Sequence, residues 1–297
     1  MISQIESIVP TTEDGRRWTL IERKAQRVNG GRAFAIFREH GIEPILIKGI
    51  AAQNYYPETH ARRSADIDLA VDPADFKNAL ELYPYLKGSG LGVDIHRGLR
   101  HLDTVEWDDL FAHSIIVEAE NEPLRFLRPE DHVRVLCVHW LTDGGAYKER
   151  LWDIYYAIDN RPKDFDWDRC LNVVSRIRRR WILAVIGITH RFLQLDISEL
   201  PYRNEIRQVP AWMIKTIEKE WKSSVRLAPM DIYLTDPLKL LKQIRKRLPP
   251  NPIQSTIESE GDIDARTRIQ YQCARVFRRL GPSIRSLAGT ITAKNRS

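Results

Sequence analysis

Residues 64–71 show a strict alternation of polar and apolar side chains, which strongly constrains how this chain folds. From Ile67 to Val71 every second residue is apolar, and this is the period of a β-strand with one buried face. In such a strand Asp66 and Asp68 project from the same face, roughly 6–7 Å apart. Two carboxylates so close repel each other, and a divalent cation such as Mg²⁺, which prefers oxygen ligands, relieves the repulsion. The pattern therefore predicts either a metal site or a strand with one solvated face.

Composition and cysteine usage are typical of a soluble, cytoplasmic protein. Hydrophobic residues make up 43% and charged residues 29% of the 297 positions, which is normal for a globular chain. The longest apolar run, 181–188, is too short to span a bilayer. The N-terminus has neither a basic region nor an apolar signal core, so we expect no export. The cysteines (Cys137, Cys170 and Cys273) form no CxxC pair and predict neither a zinc site nor a disulfide framework.

The net charge of +6 is concentrated near the C-terminus. Residues 236–297 contain 13 Lys and Arg against 5 Asp and Glu, so the rest of the chain is slightly acidic. A basic segment of this kind binds nucleic acid, anionic lipid or acidic peptides, but it is more often a solvated helical face. A second basic run, at 176–180 beside Trp181, has few interleaved aromatic residues. Nucleic acid is therefore a partner that the sequence does not favour.

Periodicity predicts a small sheet in the first half of the chain. A short, nearly all-apolar strand over 44–48 is followed by the strand at 66–71, an alternating strand at 93–96 and a hairpin over 115–127. Helices are predicted over 17–40, 50–56, 73–86 and 107–114. A glycine turn at Lys48-Gly49 joins a strand to a helix start, a geometry that presents N–H groups to an anion, although no P-loop motif is present.

Beyond residue 128 the pattern becomes entirely helical. Helices are predicted over 129–141, 147–160, 167–195, 211–225, 237–248 and 265–280. We therefore predict an α/β domain over 1–128, whose residues 1–40 form a helical lead-in, and an all-α helical domain over 129–248. The proline-rich stretch at the start of 249–297 predicts a linker before a basic helix and tail.

Asp94 and His96 share one face of the third predicted strand. A third carboxylate on a strand next to Asp66 and Asp68 is what a two-metal site for phosphoryl-type chemistry needs. His96 has a reference pKa near neutrality and is a candidate base for an acceptor hydroxyl. A structural histidine that hydrogen-bonds Asp94 is an equally good interpretation.

An ordered series of short motifs resembles a known family. The motifs are Ile47-Lys48-Gly49, Tyr56-Pro57, Arg62, Asp66-Ile67-Asp68-Leu69, Val93-Asp94-Ile95-His96, Leu127-Arg128-Pro129-Glu130-Asp131-His132, Cys137-Val138-His139 and Leu151-Trp152-Asp153-Ile154. Over roughly residues 43–195 the chain resembles the uncharacterised nucleotidyltransferase family of the DNA polymerase β-like superfamily. The series is far more specific than any one motif.

The resemblance implies a small mixed sheet with helices, a following helical domain and a cleft between them. It also implies that Asp66, Asp68 and Asp94 are metal ligands for Mg²⁺, with Mn²⁺ as the alternative, and that a nucleoside triphosphate is the donor. Lys48-Gly49 stands where better-known members have a Gly-Ser or Gly-Gly turn, so the usual serine contact to phosphate is missing. Candidate donor-binding residues are Lys48, Gly49, Arg62, Ser64, Lys148 and Arg150.

Three further polar residues in the predicted helices have open roles. His132 and His139 are seven residues apart on one helix, whereas metal ligands on one helix are more often four apart, so we interpret both as packing or hydrogen-bonding residues. Asp153 either reaches the cleft or anchors two helices, and we favour the anchor.

We therefore expect a Mg²⁺-dependent nucleotidyltransferase that transfers a nucleotidyl or related phosphate-linked group, by two-metal in-line displacement, to a small molecule, a peptide or a modified natural product. One alternative is a toxin-like enzyme that modifies RNA or protein. Another is a non-catalytic module of the same fold that binds a nucleotide or peptide. Three neighbouring carboxylates argue against the module, because a site without a metal has no physical reason to keep them together.

Overall fold

The computed structural model describes residues 12–58, 60, 62, 66–119, 122–225, 232 and 236–278. Its first element is α1 (Glu13–Glu39), whose N-cap Thr12 accepts a hydrogen bond from the Gly15 N–H at 3.1 Å. The helix continues through Gly30 and Gly31, although glycine has a low helix propensity. Tertiary packing compensates for the two glycines, because Phe34 and Phe37 of the same helix are fully buried in the core.

A five-stranded mixed sheet follows, and this part of the predicted fold class is confirmed. Its strands are β1 (Ile45–Leu46), β2 (Ile67–Val71), β3 (Val93–Arg97), β4 (Ile115–Val117) and β5 (Leu124–Phe126). The order is β3-β2-β1-β5-β4. β2 runs parallel to β3 and antiparallel to β1, β1 runs parallel to β5, and β4 closes the edge antiparallel to β5.

One hydrophobic cluster holds the sheet against its helices. Leu46 of β1, Leu69 of β2 and Ile95 of β3 are almost completely buried together with Phe34 and Phe37 of α1. Full burial of such side chains contributes about 1.5–3 kcal/mol each. The apolar residues whose alternation predicted β2 therefore form the inward face of the sheet. The side chains between them lie on the opposite face, which is the face of the candidate site.

Short helices connect the strands. They are α2 (Gly49–Ala52), α3 (Phe76–Glu81), α4 (Tyr83–Gly88) and α5 (Trp107–Ala112). The prediction of a single helix over 73–86 was wrong, because the chain breaks at Leu82 between α3 and α4. Pro84 lies in the first turn of α4; it has no N–H to donate, which suits a helix start and not a helix interior.

The described elements after β5 are all helices. They are α6 (Pro129–Thr142), α7 (Leu151–Asp159), α8 (Trp167–Leu171), α9 (Arg176–Leu193), α10 (Arg203–Ile206), α11 (Ala211–Lys222), α12 (Pro237–Arg247) and α13 (Pro252–Glu258), and residues 269–278 are also helical. The single helix predicted over 167–195 is two helices, since Ser175 caps a new start. No described helix is long and apolar enough to cross a bilayer.

The stretch predicted as a linker contains a buried helix, so that prediction was wrong. Asn251 accepts a hydrogen bond from the Gln254 N–H at 3.1 Å, and Pro252 follows it at the first helical position. An N-cap before proline is a helix-start signal. Ile253 is fully buried and Ile257 nearly so, and this burial distinguishes α13 from a linker.

The chain forms two compact units. The first comprises Met1–His139 and Lys148–Arg207, and the second comprises Trp140–Tyr147 and Gln208–Ser297, in each case as far as the residues are described. This grouping differs from the predicted division at residue 128, because α7, α8 and α9 lie in the same unit as the sheet. The proposed all-α domain over 129–248 stays a prediction.

A buried ionic network ties the helices of the first unit together. The Arg134 guanidinium, 1% exposed, donates to Asp103 at 2.8 Å and to Asp131 at 2.7 Å. Arg169 reaches the second oxygen of Asp131 at 2.8 Å. Because every charge in the network has a partner of opposite sign, the cost of its burial is offset.

The second unit contains a tight turn after Trp140. Gly144 and Gly145 both have a positive φ, 68° and 72°, and a Cβ at Gly145 would lie 3.0 Å from the Trp140 ring and 3.1 Å from Ile217. The Gly145 carbonyl accepts a hydrogen bond from the Trp221 indole at 2.8 Å. Only glycine suits both this backbone conformation and the close packing.

Candidate active site

The register of two parallel strands brings three polar side chains to one face of the sheet. Asp68 of β2 pairs with Asp94 of β3, and Ala70 pairs with His96. Side chains two residues apart on a strand share a face. The alternation that buries Leu69 and Ile95 therefore presents Asp68, Asp94 and His96 together on the opposite side.

The ligand atoms of these three residues lie close together. One ligand atom from each of Asp68, Asp94 and His96 lies within 4.8 Å of the other two. His96 Nε2 is 3.2 Å from Asp68 Oδ1 and 3.1 Å from Asp94 Oδ2. The Asp68 and His96 side chains are only 15% and 11% exposed, whereas Asp94 is 57% exposed. The cluster is thus buried on one side and open to solvent at Asp94.

This donor set fits a divalent metal ion. In an octahedral site with bonds of about 2.1 Å, neighbouring ligand atoms are roughly 3 Å apart, as the His96 nitrogen and its two carboxylate partners are. Two carboxylates suit Mg²⁺ and Mn²⁺, and a nitrogen ligand favours Mn²⁺ of the two. His96 Nε2 carries either a proton or a free lone pair. With the proton it donates a hydrogen bond to a carboxylate, and with the lone pair it binds a cation.

Lys48 already places one positive charge at this cluster. Its ammonium Nζ lies 2.7 Å from Asp68 Oδ1 and 3.1 Å from His96 Nε2, and the residue is 8% exposed. Its backbone has φ 54° and ψ −129°, a conformation that strains any residue except glycine.

The electrostatics keep Asp68 charged. Burial acts to raise the pKa of the Asp68 carboxyl, but the hydrogen bond with His96 and the charge of Lys48 outweigh it. The pKa of Asp68 therefore lies below its ordinary value, and the carboxylate is ionised at neutral pH. An ionised carboxylate is the form that binds a cation.

A second histidine and an arginine border the cluster from the helices of the same unit. Arg150, in the 3₁₀ turn Lys148–Arg150 before α7, lies 3.3 Å from His139 Nε2 of α6 through its Nη1. Burial lowers the pKa of His139 to about 3, and the nearby charges of Lys48 and Arg150 contribute. His139 is therefore neutral at pH 7, and Arg150 is placed near the cluster.

Asp153 and Arg62 form a buried pair beside this region. Arg62 donates through Nε at 2.9 Å and Nη2 at 2.8 Å to the two oxygens of Asp153. The Tyr56 hydroxyl donates to the same carboxylate at 2.6 Å. Burial, and then the neighbouring Asp153, raise the pKa of Tyr56 well above its ordinary value, so it is a hydrogen-bond donor at all ordinary pH. These contacts tie α7 to the segment before β2, whereas the sequence predicted an anchor between two helices, and the choice between an anchor and a residue of the cleft stays a prediction.

The remaining predicted site residues lie around the cluster. Asp66 precedes β2 directly, is exposed, and does not belong to the group of three ligands, so its role as a metal ligand stays a prediction. Gly49 is buried at the first position of α2, and Lys148 lies in the turn with Arg150. Ser64 lies outside the described residues. The donor-binding roles of all these residues stay predictions.

Two features of the site were not predicted from the sequence. The direct pair between Lys48 and Asp68 depends on an unusual backbone conformation that no local pattern indicates. The second is that His139 of α6 lies within reach of the charges of Lys48 and Asp68. The spacing of seven residues between His132 and His139 predicts a shared helix face, but it could not show which of the two approaches the cluster.

The small mixed sheet with its helices is compatible with a nucleotidyltransferase-type domain, and it carries a candidate divalent-metal site. The chain belongs to the family described as uncharacterised nucleotidyltransferase, whose model matches residues 16–194. The resemblance seen in the sequence is confirmed. No curated protein and no solved structure matches the chain.

Membership gives the activity in general terms. It indicates a transferase that takes a nucleotide donor, and nucleotidyltransferases generally use divalent metals. The matched range includes every residue of the cluster, together with His139, Arg150 and Asp153.

Proposed function

We propose that this protein is a metal-dependent nucleotidyltransferase. It transfers a nucleotidyl group from a nucleoside triphosphate to an acceptor that is a small molecule, a peptide or a modified natural product. The single observation that carries this proposal is the convergence of Asp68, Asp94 and His96 on one face of two paired strands.

Asp68, Asp94 and His96 would hold the metal ion, Mg²⁺ or Mn²⁺, with Asp66 as a further carboxylate. When bound, the metal supplies positive charge to the triphosphate and makes the α-phosphorus more electrophilic. The protein's task is then to keep the ligands fixed, and the burial of Asp68 and His96 supports that role.

The transfer step is an in-line displacement at the α-phosphorus. The acceptor oxygen forms a bond to phosphorus, the bond from that phosphorus to the β-phosphate oxygen breaks, and pyrophosphate leaves. Asp94 is the most exposed residue of the cluster, and it accepts the proton of the acceptor hydroxyl. If His96 does not bind the metal, it takes this proton instead.

Cationic side chains around the cluster would bind the donor phosphates. Arg150 is placed by its contact with His139, and Lys148 lies two residues before it in the same 3₁₀ turn. Two terminal nitrogens of an arginine can contact one phosphate in a bidentate manner. Arg62 already uses Nε and Nη2 on Asp153, so its contribution to phosphate binding is smaller than that of Arg150.

The test is turnover of labelled nucleoside triphosphates with Mg²⁺ or Mn²⁺ and panels of small-molecule, peptide and RNA acceptors, analysed by mass. We expect pyrophosphate release that requires metal and is lost in Asp68→Asn. Asp108→Asn is the matched control, because Asp108 is exposed on α5 and is not one of the three clustered ligand residues. It should keep wild-type turnover.

The other outcomes identify the competing functions. Modification of RNA or of a protein would give the toxin-like enzyme. Tight nucleotide binding that ignores metal and survives in Asp68→Asn, without turnover, would indicate a binding module and overturn the proposal.

A further inference from the structure

Lys48 contacts the same atoms that the proposed function assigns to the metal. Its Nζ is within hydrogen-bond distance of Asp68 Oδ1 and His96 Nε2, at 2.7 and 3.1 Å. A divalent ion bonded to both atoms would lie within van der Waals distance of the ammonium, and like charges at that separation repel strongly. Lys48 and a metal ion therefore exclude each other from this pair of ligands.

The ammonium is a built-in counter-ion for Asp68. The Lys48 side chain is 10% exposed and the Asp68 side chain 15% exposed, so neither charge is well solvated. Removing the partner of a buried charge is costly. A metal ion that arrives alone must leave the buried ammonium without the carboxylate that neutralises it.

The cost of displacing Lys48 is lower when the metal ion arrives together with a triphosphate. Phosphate oxygens offer the displaced ammonium a new anionic partner. Lysine has a flexible four-carbon side chain, so its Nζ can move from a carboxylate to a phosphate without movement of the backbone. Exchange of one anion for another costs far less than loss of the first.

From this we infer that Lys48 is a positioning residue that makes metal binding depend on the nucleotide. Its ammonium occupies the metal position beside Asp68 until a triphosphate binds the ammonium instead. The inference rests on the proposed function and adds an order to it, in which metal and triphosphate enter together. By linkage, the triphosphate also binds more tightly when the metal is present, by the same factor.

The backbone at Lys48 supports a role for this side chain. A non-glycine residue at φ 54° and ψ −129° is strained. The residue stands between the end of β1 and the start of α2, and glycine would remove the strain. Lysine stands at this position despite its backbone cost, and its ammonium is the feature that glycine would not provide.

The experiment is equilibrium binding of Mn²⁺, followed by electron paramagnetic resonance, with and without α,β-methylene ATP or GTP. Metal held by free nucleotide is measured separately and subtracted. The variants are Lys48→Met, which removes the charge and keeps the length, and Lys48→Gly, which also relaxes the backbone. Lys77→Met is the charge-matched control, because Lys77 is exposed on α3.

We expect Lys48→Met and Lys48→Gly to bind Mn²⁺ alone at least about tenfold more tightly than the wild type. We also expect the gain in affinity from the nucleotide to shrink in both variants by a similar factor. Lys77→Met should match the wild type. A merely structural lysine would not change this coupling.

Two results would overturn the inference, and they are distinguishable. If Lys48 variants and wild type bind Mn²⁺ within about twofold of each other, with equal coupling to nucleotide, Lys48 does not compete with the metal, while the proposed function stands. If no variant binds Mn²⁺ with or without nucleotide, both the inference and the proposed function are wrong.

Discussion

Replacement of Asp153 by asparagine tests the buried pair that supports the site. Asp153 is 4% exposed and accepts three hydrogen bonds, two from Arg62 and one from Tyr56. Asparagine keeps the shape but loses the charge, and its NH₂ group faces donors. Arg62, whose side chain is 16% exposed, is then left with no anionic partner at Asp153.

The structure sets the size of the effect. Removal of one partner of a fully buried ion pair costs about 3–5 kcal/mol. Arg62 keeps some contact with solvent, so we expect the lower end, about 3 kcal/mol. A domain of 150–250 residues loses roughly 2–4 °C in melting midpoint per kcal/mol, so the midpoint should fall by roughly 6–12 °C.

The assay is urea and thermal unfolding without added metal or nucleotide, since ligands that bind the folded state raise apparent stability. Glu13→Gln is the control: Glu13 pairs with Arg17, but the two side chains are 79% and 70% exposed. An exposed pair contributes at most about 1 kcal/mol. If Asp153→Asn is no less stable than Glu13→Gln, Asp153 is not an anchor and its placement beside the site needs another explanation.

Three further predictions concern the backbone, a buried histidine and a tight turn. Lys48→Gly should be about 1 kcal/mol more stable than Lys48→Met in urea unfolding, because glycine tolerates φ 54°; equal stabilities would refute the strain. Burial lowers the pKa of His132 to about 4, so the unfolded chain takes up the proton at a higher pH than the folded chain does. The free energy of unfolding should therefore fall as pH drops from about 6.5 to 4, by up to roughly 3 kcal/mol. His132→Asn should flatten this pH dependence, and parallel curves for variant and wild type would contradict the prediction. Gly145→Ala should cost about 2–4 kcal/mol through its positive φ and the Trp140 contact, while Gly90→Ala, with φ 73° and open space, should cost only about 1 kcal/mol; similar losses in thermal melts would remove the packing argument.

Much of the sheet could be predicted because a strand with one buried face has apolar residues at every second position. The alternation after Asp66 gave β2, and the alternation at Asp94 and His96 gave β3 on the same principle. Once two strands pair in parallel, residues at equal heights on one face must meet. The convergence of Asp68, Asp94 and His96 was therefore within reach of sequence reasoning.

The helix boundaries were less accessible, although local signals existed. Pro84 marks the break between α3 and α4, and Ser175 caps α9. The long apolar periodicity on each side of the break at residue 175 suggested one continuous helix. α13 was missed for a different reason: prolines suggest a linker, and only the burial of Ile253 in the folded chain shows otherwise.

The charge arrangement of the site was the least predictable part. Lys48 and Asp68 are 20 residues apart, and their contact depends on how β1 pairs with β2 and on an unusual backbone conformation at Lys48. Arg62 and Asp153 are 91 residues apart. Local periodicity carries no information on such pairs, so a residue predicted to bind phosphate, Arg62, turns out to bind a carboxylate.

The central claim is that Asp68, Asp94 and His96 hold a metal ion that also contacts the donor nucleotide. Pulsed electron paramagnetic resonance of Mn²⁺ with α,β-methylene ATP or GTP, on protein labelled with ¹⁵N-histidine, tests this claim most directly. We predict couplings to one imidazole nitrogen and to nucleotide phosphorus in the same species, with the nitrogen signal lost in His96→Gln and the bound ion lost in Asp68→Asn. An unchanged spectrum and affinity in Asp68→Asn would place the ion elsewhere and contradict the claim.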